Sequence, residues 1–189
     1  MTRSGGPVGL AVRRLEPEDA GALFALVDAH RAWLDPWMPW TDQVRSVEDV
    51  RRFVEDSLRV TDRGPRAHEC GLWSGSALVG LAGLHRIDLV AGTAQVGYWL
   101  GQRHTGRGFA TGGVRAVARF GFGVIGLHRL EIRAAAGNRA SLAVARRAGF
   151  RWEGRLREAE LHRGVRRDVV VLGRLASEPE GGAPDPGRS

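Results

Sequence analysis

An apolar strand that runs into a glycine-rich turn and then into a helix constrains this chain more than any other feature. The strand ends near Gly101, and Gly106 and Gly108 lie in the turn. Glycine lets the backbone approach a ligand closely, and the first N–H groups of the following helix have no partner within it. Because such groups bind anions, the turn is typical of a phosphate-binding loop.

The helix after this turn is predicted to run from Phe109 to about Gly123, with one apolar face. Gly112 and Gly113 in its first turns each cost about 1 kcal/mol relative to alanine, so something is expected to lie close to the backbone there. An ordinary strand–turn–helix connection without a ligand is the alternative interpretation.

Two familiar phosphate loops compete for this segment. A nucleotide P-loop needs a lysine after its last glycine, and the chain contains no lysine, which excludes that loop. A dinucleotide-binding fingerprint fits Gly106, Gly108 and Thr111 in part, with Glu131 near the distance of the ribose-binding acid. However, no parallel strand and crossover helix precede the turn, so this alternative fits less well.

Hydrophobic periodicity along the chain predicts a fold of the α+β class. The sheet is expected to be mixed, mostly antiparallel and seven-stranded, with flanking helices. Its predicted strands are 9–15, 67–73, 77–87, 93–101, 128–134, 150–162 and 166–175. Helices are predicted after Glu16, after Ser46, from Phe109 and from Arg139. The strands at 93 and 128 are joined by a helix and should therefore be parallel neighbours.

Composition predicts one globular domain. The chain has 189 residues and 43% hydrophobic residues, enough for one substantial core. We expect this domain to cover residues 8–176, between a flexible N-terminus at 1–7 and a disordered tail at 177–189. A single cysteine, Cys70, and the lack of a membrane-length apolar run favour a cytoplasmic location. Scattered histidines give no metal-ligand spacing, so no metal is expected.

The net charge of +7 allows an anionic cofactor, an acidic protein or a nucleic acid as partner. The arginines are spread along the chain, and no helix-turn-helix, zinc finger or aromatic RNA-binding strand is found. We therefore expect neither a dedicated nucleic-acid function nor membrane binding, while a monomer and a homodimer both remain open.

Two segments carry a family resemblance. Residues 103–108 match the Q/R-x-x-G-x-G/A pyrophosphate loop of the GNAT acetyltransferases, and Asn138 to Ser141 followed by Ala148 to Phe150 looks like their second cofactor segment. Residues 31–34, 46–49 and 96–100 are similar to the ribosomal-protein N-terminal acetyltransferases of the RimJ/RimL type. The resemblance spans residues 8–176, and it implies acetyl-coenzyme A (acetyl-CoA) as cofactor and an amine as acceptor.

The resemblance also implies which residues hold the cofactor. In GNAT enzymes the two central parallel strands splay apart and the pantetheine arm enters the gap, where exposed strand backbone pairs with its amides. The cofactor-binding residues expected on this basis are Tyr98, Trp99, Leu100, Arg103, His104, Thr105, Gly106, Arg107, Gly108, Phe109, Ala110, Thr111, Asn138 and Ser141. A backbone N–H near Trp99 or Leu100 is the expected oxyanion donor.

Glu160 is the predicted catalytic base. The strand after Phe150 is expected to place Trp152, Leu156, Glu158, Glu160 and His162 on one face that passes from core to carboxylates. A partly desolvated carboxylate at such a rim suits a base, and Glu160 matches the proposed base of the Rim-type enzymes. Glu158 and His162 are the other base candidates. The alternative is a solvated glutamate that pairs with Arg155 or Arg166.

Protonation of the departing thiolate has no obvious tyrosine donor. Many GNAT enzymes use a tyrosine after the second cofactor segment, but Tyr98, the only tyrosine, lies in an earlier strand. The resemblance suggests Ser141 for this role. A thiol titrates near ~8.5, so a weak acid suffices. As an alternative, Asn138 and Ser141 only cap their helix.

Trp33, Trp37 and Trp40 lie in a segment whose aromatic density suggests one wall of an acceptor groove, with packing beneath the sheet as the alternative. At pH 7 about a tenth of an α-amino group is neutral but under about a thousandth of a lysine, which favours a protein N-terminus as acceptor. The resemblance implies a ribosomal protein, and the basic charge favours an acidic one.

Two other functions remain open from the sequence. One is acetylation of a small-molecule amine such as an antibiotic or a polyamine. A strongly cationic substrate would need more acidic residues around the groove than the sequence places there. The other is a coenzyme A-binding regulatory domain without enzymatic activity.

Overall fold

The structure is a computed structural model that describes residue 7 and residues 9–61, 64–65 and 67–180. Its nine strands are β1 (Leu10–Arg14), β2 (Val60–Thr61), β3 (Gly64–Pro65), β4 (Ala67–Ser74), β5 (Ala77–Asp88), β6 (Thr93–Leu100), β7 (Arg129–Ala135), β8 (Arg151–His162) and β9 (Val165–Leu175). The α-helices are α1 (Ala20–Ala29), α2 (Arg31–Leu34), α3 (Val47–Ser57), α4 (Phe109–Phe120) and α5 (Arg139–Arg147).

Seven of these strands form one sheet, in the order β1-β4-β5-β6-β7-β9-β8. The pair β6–β7 is parallel, and the other neighbouring pairs are antiparallel. The predicted mixed, mostly antiparallel seven-stranded sheet is therefore confirmed. The separate ribbon of β2 and β3 was not predicted, because strands of two residues are too short to show periodicity.

The two faces of the sheet support two apolar clusters, because side chains alternate between the faces along each strand. Leu81 and Trp99 pack with α1 and α3 on one face. Ala82 and Leu100 pack with α4 and α5 on the other. The central strands are thus covered on both sides, and the cluster beneath α4 fixes the helix that follows the glycine-rich turn.

Side-chain caps begin two of the helices where the sequence predicts them. The Ser46 hydroxyl accepts a hydrogen bond from the Asp49 N–H at 3.1 Å, before α3. The Asn138 side chain accepts one from the Ser141 N–H at 3.0 Å, before α5. Helix α4 ends at Phe120, earlier than expected. A π-helical turn at Gly121–Ile125 continues it to Gly126, whose φ of +80° ends the helical path.

The described chain ends in a segment that contacts the sheet. Glu178 accepts a hydrogen bond from the Leu175 N–H at 3.0 Å, and Glu180 lies 2.6 Å from Arg119. The remainder of the predicted tail, and residues 1–6 of the predicted flexible N-terminus, lie outside the described residues. Within the described ranges no helix combines the length and apolar character that a membrane crossing needs.

Candidate active site

The glycine-rich turn lies open to solvent at the start of α4. Gly106 and Gly108 have φ values of +75° and +80°. All four residues of the turn, from Thr105 to Gly108, are exposed. Gly108 is the N-cap of α4 and offers no side chain, so the first N–H groups of the helix face outward. This arrangement can hold a pyrophosphate, as the sequence predicts.

Gly112 and Gly113 lie in the first turns of α4, next to the predicted phosphate-binding turn, but it is not a ligand that needs the space at these positions. A Cβ at Gly112 would lie 2.7 Å from the Leu10 side chain, and one at Gly113 would lie 2.6 Å from the Leu72 side chain. What lies close to the backbone is therefore the sheet, together with the Pro7 ring at Gly112. These glycines let α4 pack tightly on β1 and β4, which positions its N-terminus.

A gap opens between β6 and β7 beside this turn. The parallel pairing covers Thr93 with Arg129 through Gln95 with Glu131, and no pairing follows although β6 continues to Leu100. This is the splayed central pair that the family resemblance implies. The Leu100 carbonyl accepts a hydrogen bond from the Trp33 indole N–H at 3.2 Å, so this carbonyl already has a donor.

Tyr98 and Ser141 meet across the gap, a contact that sequence analysis missed. The Tyr98 hydroxyl donates to the Ser141 carbonyl at 2.8 Å, and the two hydroxyl oxygens are 2.9 Å apart. Burial raises the pKa of Tyr98 to about 12, so the phenol keeps its proton. The tyrosine thus approaches the predicted acid from the neighbouring strand. No local motif signals a contact between residues 43 positions apart.

A cavity of about 730 Å³ joins this gap to the α1–α3 face of the sheet. Its polar lining includes Tyr98, Asn138, Ser141 and Glu160, which brings the predicted acid and the predicted base into one space. Ligand sites commonly have volumes of about 300–1,000 Å³. The cavity therefore suits a small acceptor or the end of a chain.

Glu160 faces this cavity without the ion pair that would make it a solvated surface carboxylate. Its Oε2 is buried and has no hydrogen-bond partner among the described residues. Arg155 pairs instead with Asp168, at 2.6 Å. The other base candidates do not line the cavity: Glu158 is exposed, and His162 is buried with Nε2 2.9 Å from the Asp35 carbonyl.

The strand face that led to Glu160 was predicted wrongly. Trp152 and Leu156 are 50% and 41% exposed, so they do not belong to the core. Irregularities between Trp152 and Gly154 and between Leu156 and Glu160 break the alternation of β8, and Glu158 has a φ of +51°. Because each extra residue in a bulge exchanges the two faces, counting by twos from Phe150 fails.

The tryptophan-rich segment forms one side of the cavity in part. Trp37 and Trp40 line it, whereas Trp33 does not. The Trp40 ring packs on Trp99 with centroids 5.8 Å apart. Arg163, at the tip of the β8–β9 hairpin, contacts Asp35 and lies 3.0 Å from Asp42. The hairpin therefore holds this segment in place over the sheet.

The cavity is more acidic than the sequence suggests. Its lining contains four carboxylates and two arginines: Asp49, Asp56, Glu69, Glu160, Arg52 and Arg133. Asp49, Arg52 and Asp56 come from α3, and Glu69, Arg133 and Glu160 come from three different strands, so no single segment reveals the cluster. Carboxylates stabilise the positive charge of an amine, and the excess is notable in a protein of net charge +7.

The residues present fit coenzyme A. The positive-φ glycines at the N-terminus of α4 suit its pyrophosphate, the unpaired backbone of β6 suits its pantetheine arm, and the gap leads to Ser141 and the cavity. The roles of the individual residues from Arg103 to Thr111 follow from this placement as proposals.

Comparison with known proteins agrees with this geometry. Residues 10–151 match the family described as acetyltransferase (GNAT) domain. The chain is 31% identical over 172 residues to the Bacillus subtilis protein named "Putative ribosomal N-acetyltransferase YdaF", covering 91% of this chain and 94% of that protein. It is 30% identical over 153 residues to the ribosomal-protein-serine acetyltransferase of Escherichia coli, covering 81% and 85% of the two chains.

A solved structure is similar over nearly the whole chain. The ribosomal L7/L12 alpha-N-protein acetyltransferase RimL in complex with coenzyme A superposes with a TM-score of 0.82 at 28% sequence identity. The alignment covers 89% of this chain and 94% of that one.

Proposed function

We propose that this chain, which belongs to the GNAT acetyltransferase family and transfers the acetyl group of acetyl-CoA to an amine, acetylates the N-terminal α-amino group of a ribosomal protein. The observation that carries the proposal is the similarity, over most of the chain, to proteins named ribosomal-protein acetyltransferases. The enzyme's cavity is consistent with it, because a volume of about 730 Å³ accommodates a chain end as well as a small amine.

Charge supports a protein acceptor in two ways. Inside the cavity, Asp49, Asp56 and Glu160 outnumber the two arginines and attract the ammonium group of an incoming N-terminus, whereas burial keeps Glu69 protonated below about pH 8. Outside, the net charge of +7 steers an acidic protein toward the enzyme, with an effect that salt screens. An α-amino group also suits a modest base, because its pKa near ~7.7 lies well below that of lysine.

Glu160 accepts a proton from the acceptor in this proposal. Its buried Oε2 has no competing donor among the described residues, so the carboxylate is free to take the ammonium proton directly or through one water. Bound acetyl-CoA supplies an activated thioester carbonyl. The chain positions the acceptor against it between the Trp37–Trp40 wall and the backbone of β6.

Ser141 holds the proton that the departing sulfur needs. Asn138 fixes the first turn of α5 through the Ser141 N–H, and the Tyr98 hydroxyl lies 2.9 Å from the Ser141 Oγ. Since Tyr98 stays protonated, it orients the serine hydroxyl without becoming an anion. A serine so held can be both a helix-start residue and a weak acid.

Peptide competition tests the choice of acceptor. Three acceptors are compared: an acidic peptide with a free N-terminus, the same peptide with a blocked N-terminus and one lysine, and spermidine. The release of free coenzyme A measures turnover of each. We expect kcat/KM for the free N-terminus to exceed that of the other amines at least about tenfold, in line with their neutral fractions. Equal or better turnover of spermidine would overturn the proposed acceptor while leaving the acetyltransferase activity intact.

A further inference from the structure

A buried carboxyl and a partly exposed imidazole lie together on the cavity side of the sheet and have no part in the mechanism above. Glu69 on β4 is 3% exposed, and its Oε1 lies 3.0 Å from Nδ1 of His85 on β5. The angle of this contact is not that of a well-formed hydrogen bond, so Oε1 has no aligned donor among the described residues. Both residues line the cavity that contains Glu160 and Ser141.

Two glycines make room for this pair. A Cβ at Gly83 would lie 2.3 Å from the Glu69 Oε2, and a Cβ at Gly97 would lie 2.8 Å from the His85 Nε2. Nε2 therefore rests against the backbone of β6, next to Tyr98 and the gap between β6 and β7. It has no hydrogen-bond partner in the part of the chain that the structure describes.

We propose that His85 is a second proton acceptor in the acetyl transfer, with Glu69 as the positioning residue that holds its ring with Nε2 toward the acceptor. The proposal rests on the function proposed above only in taking an amine as acceptor. When Glu69 is ionised, its carboxylate favours the Nδ1–H tautomer of His85, which orients the ring and leaves the lone pair of Nε2 free.

The proton balance of the reaction leaves a place for this residue. The acceptor nitrogen loses two protons between ammonium and amide, while the N–C bond forms and the C–S bond breaks with its electron pair on sulfur. Glu160 takes the first proton, and His85 takes the one released as the N–C bond forms. Ser141 delivers one proton to sulfur and regains it from these bases, and one proton leaves to solvent.

Burial links the two members of the pair. It raises the pKa of the Glu69 carboxyl to about 8, and burial with the charge of Arg86 lowers the pKa of His85. Below about pH 8 the pair therefore keeps an extra proton, and above it the ring presents a bare Nε2. Other ionisable groups facing the same space are Asp49, Arg52 and Asp56 on α3, Tyr98 on β6, Arg133 on β7 and Glu160 on β8, and α1 contributes none.

Nitrogen-15 spectra of labelled histidine rings test the pair in the free protein, without cofactor or acceptor. Between pH 6 and 10 we expect the His85 ring to change with an apparent pKa near 8 and to carry its proton on Nδ1 above it. In Glu69→Gln this change should disappear from that range. An unaltered His85 titration in Glu69→Gln would overturn the positioning role.

Turnover at saturating acetyl-CoA and acceptor provides the second readout. In the parent enzyme we expect kcat to rise as pH increases through about 8, where Nε2 becomes bare. His85→Gln should lower kcat about tenfold or more and remove this rise. Its affinity for coenzyme A should change less than about twofold. His68→Gln is the matched control, because His68 lies on the opposite face of the sheet, where its ring stacks on Phe120 with centroids 4.0 Å apart. A His85→Gln enzyme with kcat within about twofold of the parent would overturn the proposal.

The two proposals fail in different ways. If the parent enzyme acetylates no peptide, the proposed acceptor is wrong, and the same His85 variants are scored with the small amine that it does acetylate. Loss of the buried Glu69 carboxyl could impair folding, whereas His85 is partly open to the cavity, so His85→Gln keeps the test decisive.

Discussion

Glu160 combines burial in the cavity with the absence of an ion-pair partner among the described residues, which is the environment of a base. We expect Glu160→Gln, which preserves shape and removes the proton acceptor, to lower kcat about 100-fold or more. Coenzyme A affinity, measured by calorimetry, should change less than about twofold. Glu158→Gln is the control because Glu158 is exposed and outside the cavity, and near-normal turnover of Glu160→Gln between pH 6 and 9 would refute the assignment.

Gly108 offers a second single-residue test, with a control at the other end of the same helix. Gly108 and Gly126 both have φ values of +80°, so valine is strained at either position by about 1–3 kcal/mol. Both variants should melt at a lower temperature. We expect only Gly108→Val to weaken coenzyme A binding, by about tenfold or more, because only this glycine lies in the turn proposed to hold the pyrophosphate. Equal affinity in both variants would remove the turn from the cofactor site.

Single residues show where sequence reasoning succeeds and where it stops. Gly106 and Gly108 could be assigned because a short local pattern requires both their conformation and their place before a helix. The contact of Tyr98 with Ser141, and that of Glu69 with His85, could not be. Each depends on which strands are neighbours and on their register, and neither leaves a trace within one segment.

At the level of elements, the β8–β9 hairpin and the tryptophan-rich segment act as a unit. Arg163 reaches Asp35 and Asp42, and Arg167 donates to the Pro36 carbonyl at 2.7 Å. We expect Arg163→Ala to raise KM for the acceptor a few-fold and to leave coenzyme A affinity unchanged, because Trp37 loses its support. Steady-state kinetics with a peptide acceptor measure this effect.

Arg157→Ala provides the control for that experiment, since it removes an equal charge from an exposed position of the same hairpin. The Arg163 hydrogen bond lowers the pKa of Asp42 below its usual value. A group with a lowered pKa loses its contribution only as pH falls through that pKa, so the effect of Arg163→Ala should persist from pH 6 to 9. An unchanged acceptor KM would show that the hairpin does not support the wall.

The positions of the strands were predicted better than the side of the sheet to which each side chain points, and β8 shows why. Its position was predicted to within a residue, because the turn at Gly164 and the β-branched residues of the following strand β9 mark a hairpin. Its face was not, because the bulges near Gly154 and Glu158 have no sequence signature comparable to an apolar period. The regular alternation of side chains along a strand therefore does not account for the position of Glu160 at the cavity.

The whole molecule should lose stability at alkaline pH through two buried acids. Burial raises the pKa of Cys70 to about 11 and that of Tyr98 to about 12. Groups whose pKa is raised by folding stabilise fully below their unfolded pKa and lose that contribution as pH rises through the folded value. Because the chain has no lysine, few other groups titrate in this range.

We therefore expect the free energy of unfolding to fall by about 2–5 kcal/mol between pH 9 and 12, since one pKa unit corresponds to about 1.4 kcal/mol. Urea unfolding at a series of pH values measures the fall. Absorbance of the one tyrosinate reports Tyr98 alone, and Tyr98→Phe should remove its share of the loss. A flat stability profile would mean that neither group is buried as described.

Intact-mass spectrometry of total ribosomal protein tests the central assignment most directly. The proteins are incubated with this enzyme and isotope-labelled acetyl-CoA, and in parallel with Glu160→Gln. We expect one labelled acetyl group on the N-terminal amine of one acidic ribosomal protein, and no label with the variant. Label on no ribosomal protein, from an enzyme that binds coenzyme A and acetylates a small amine, would contradict it.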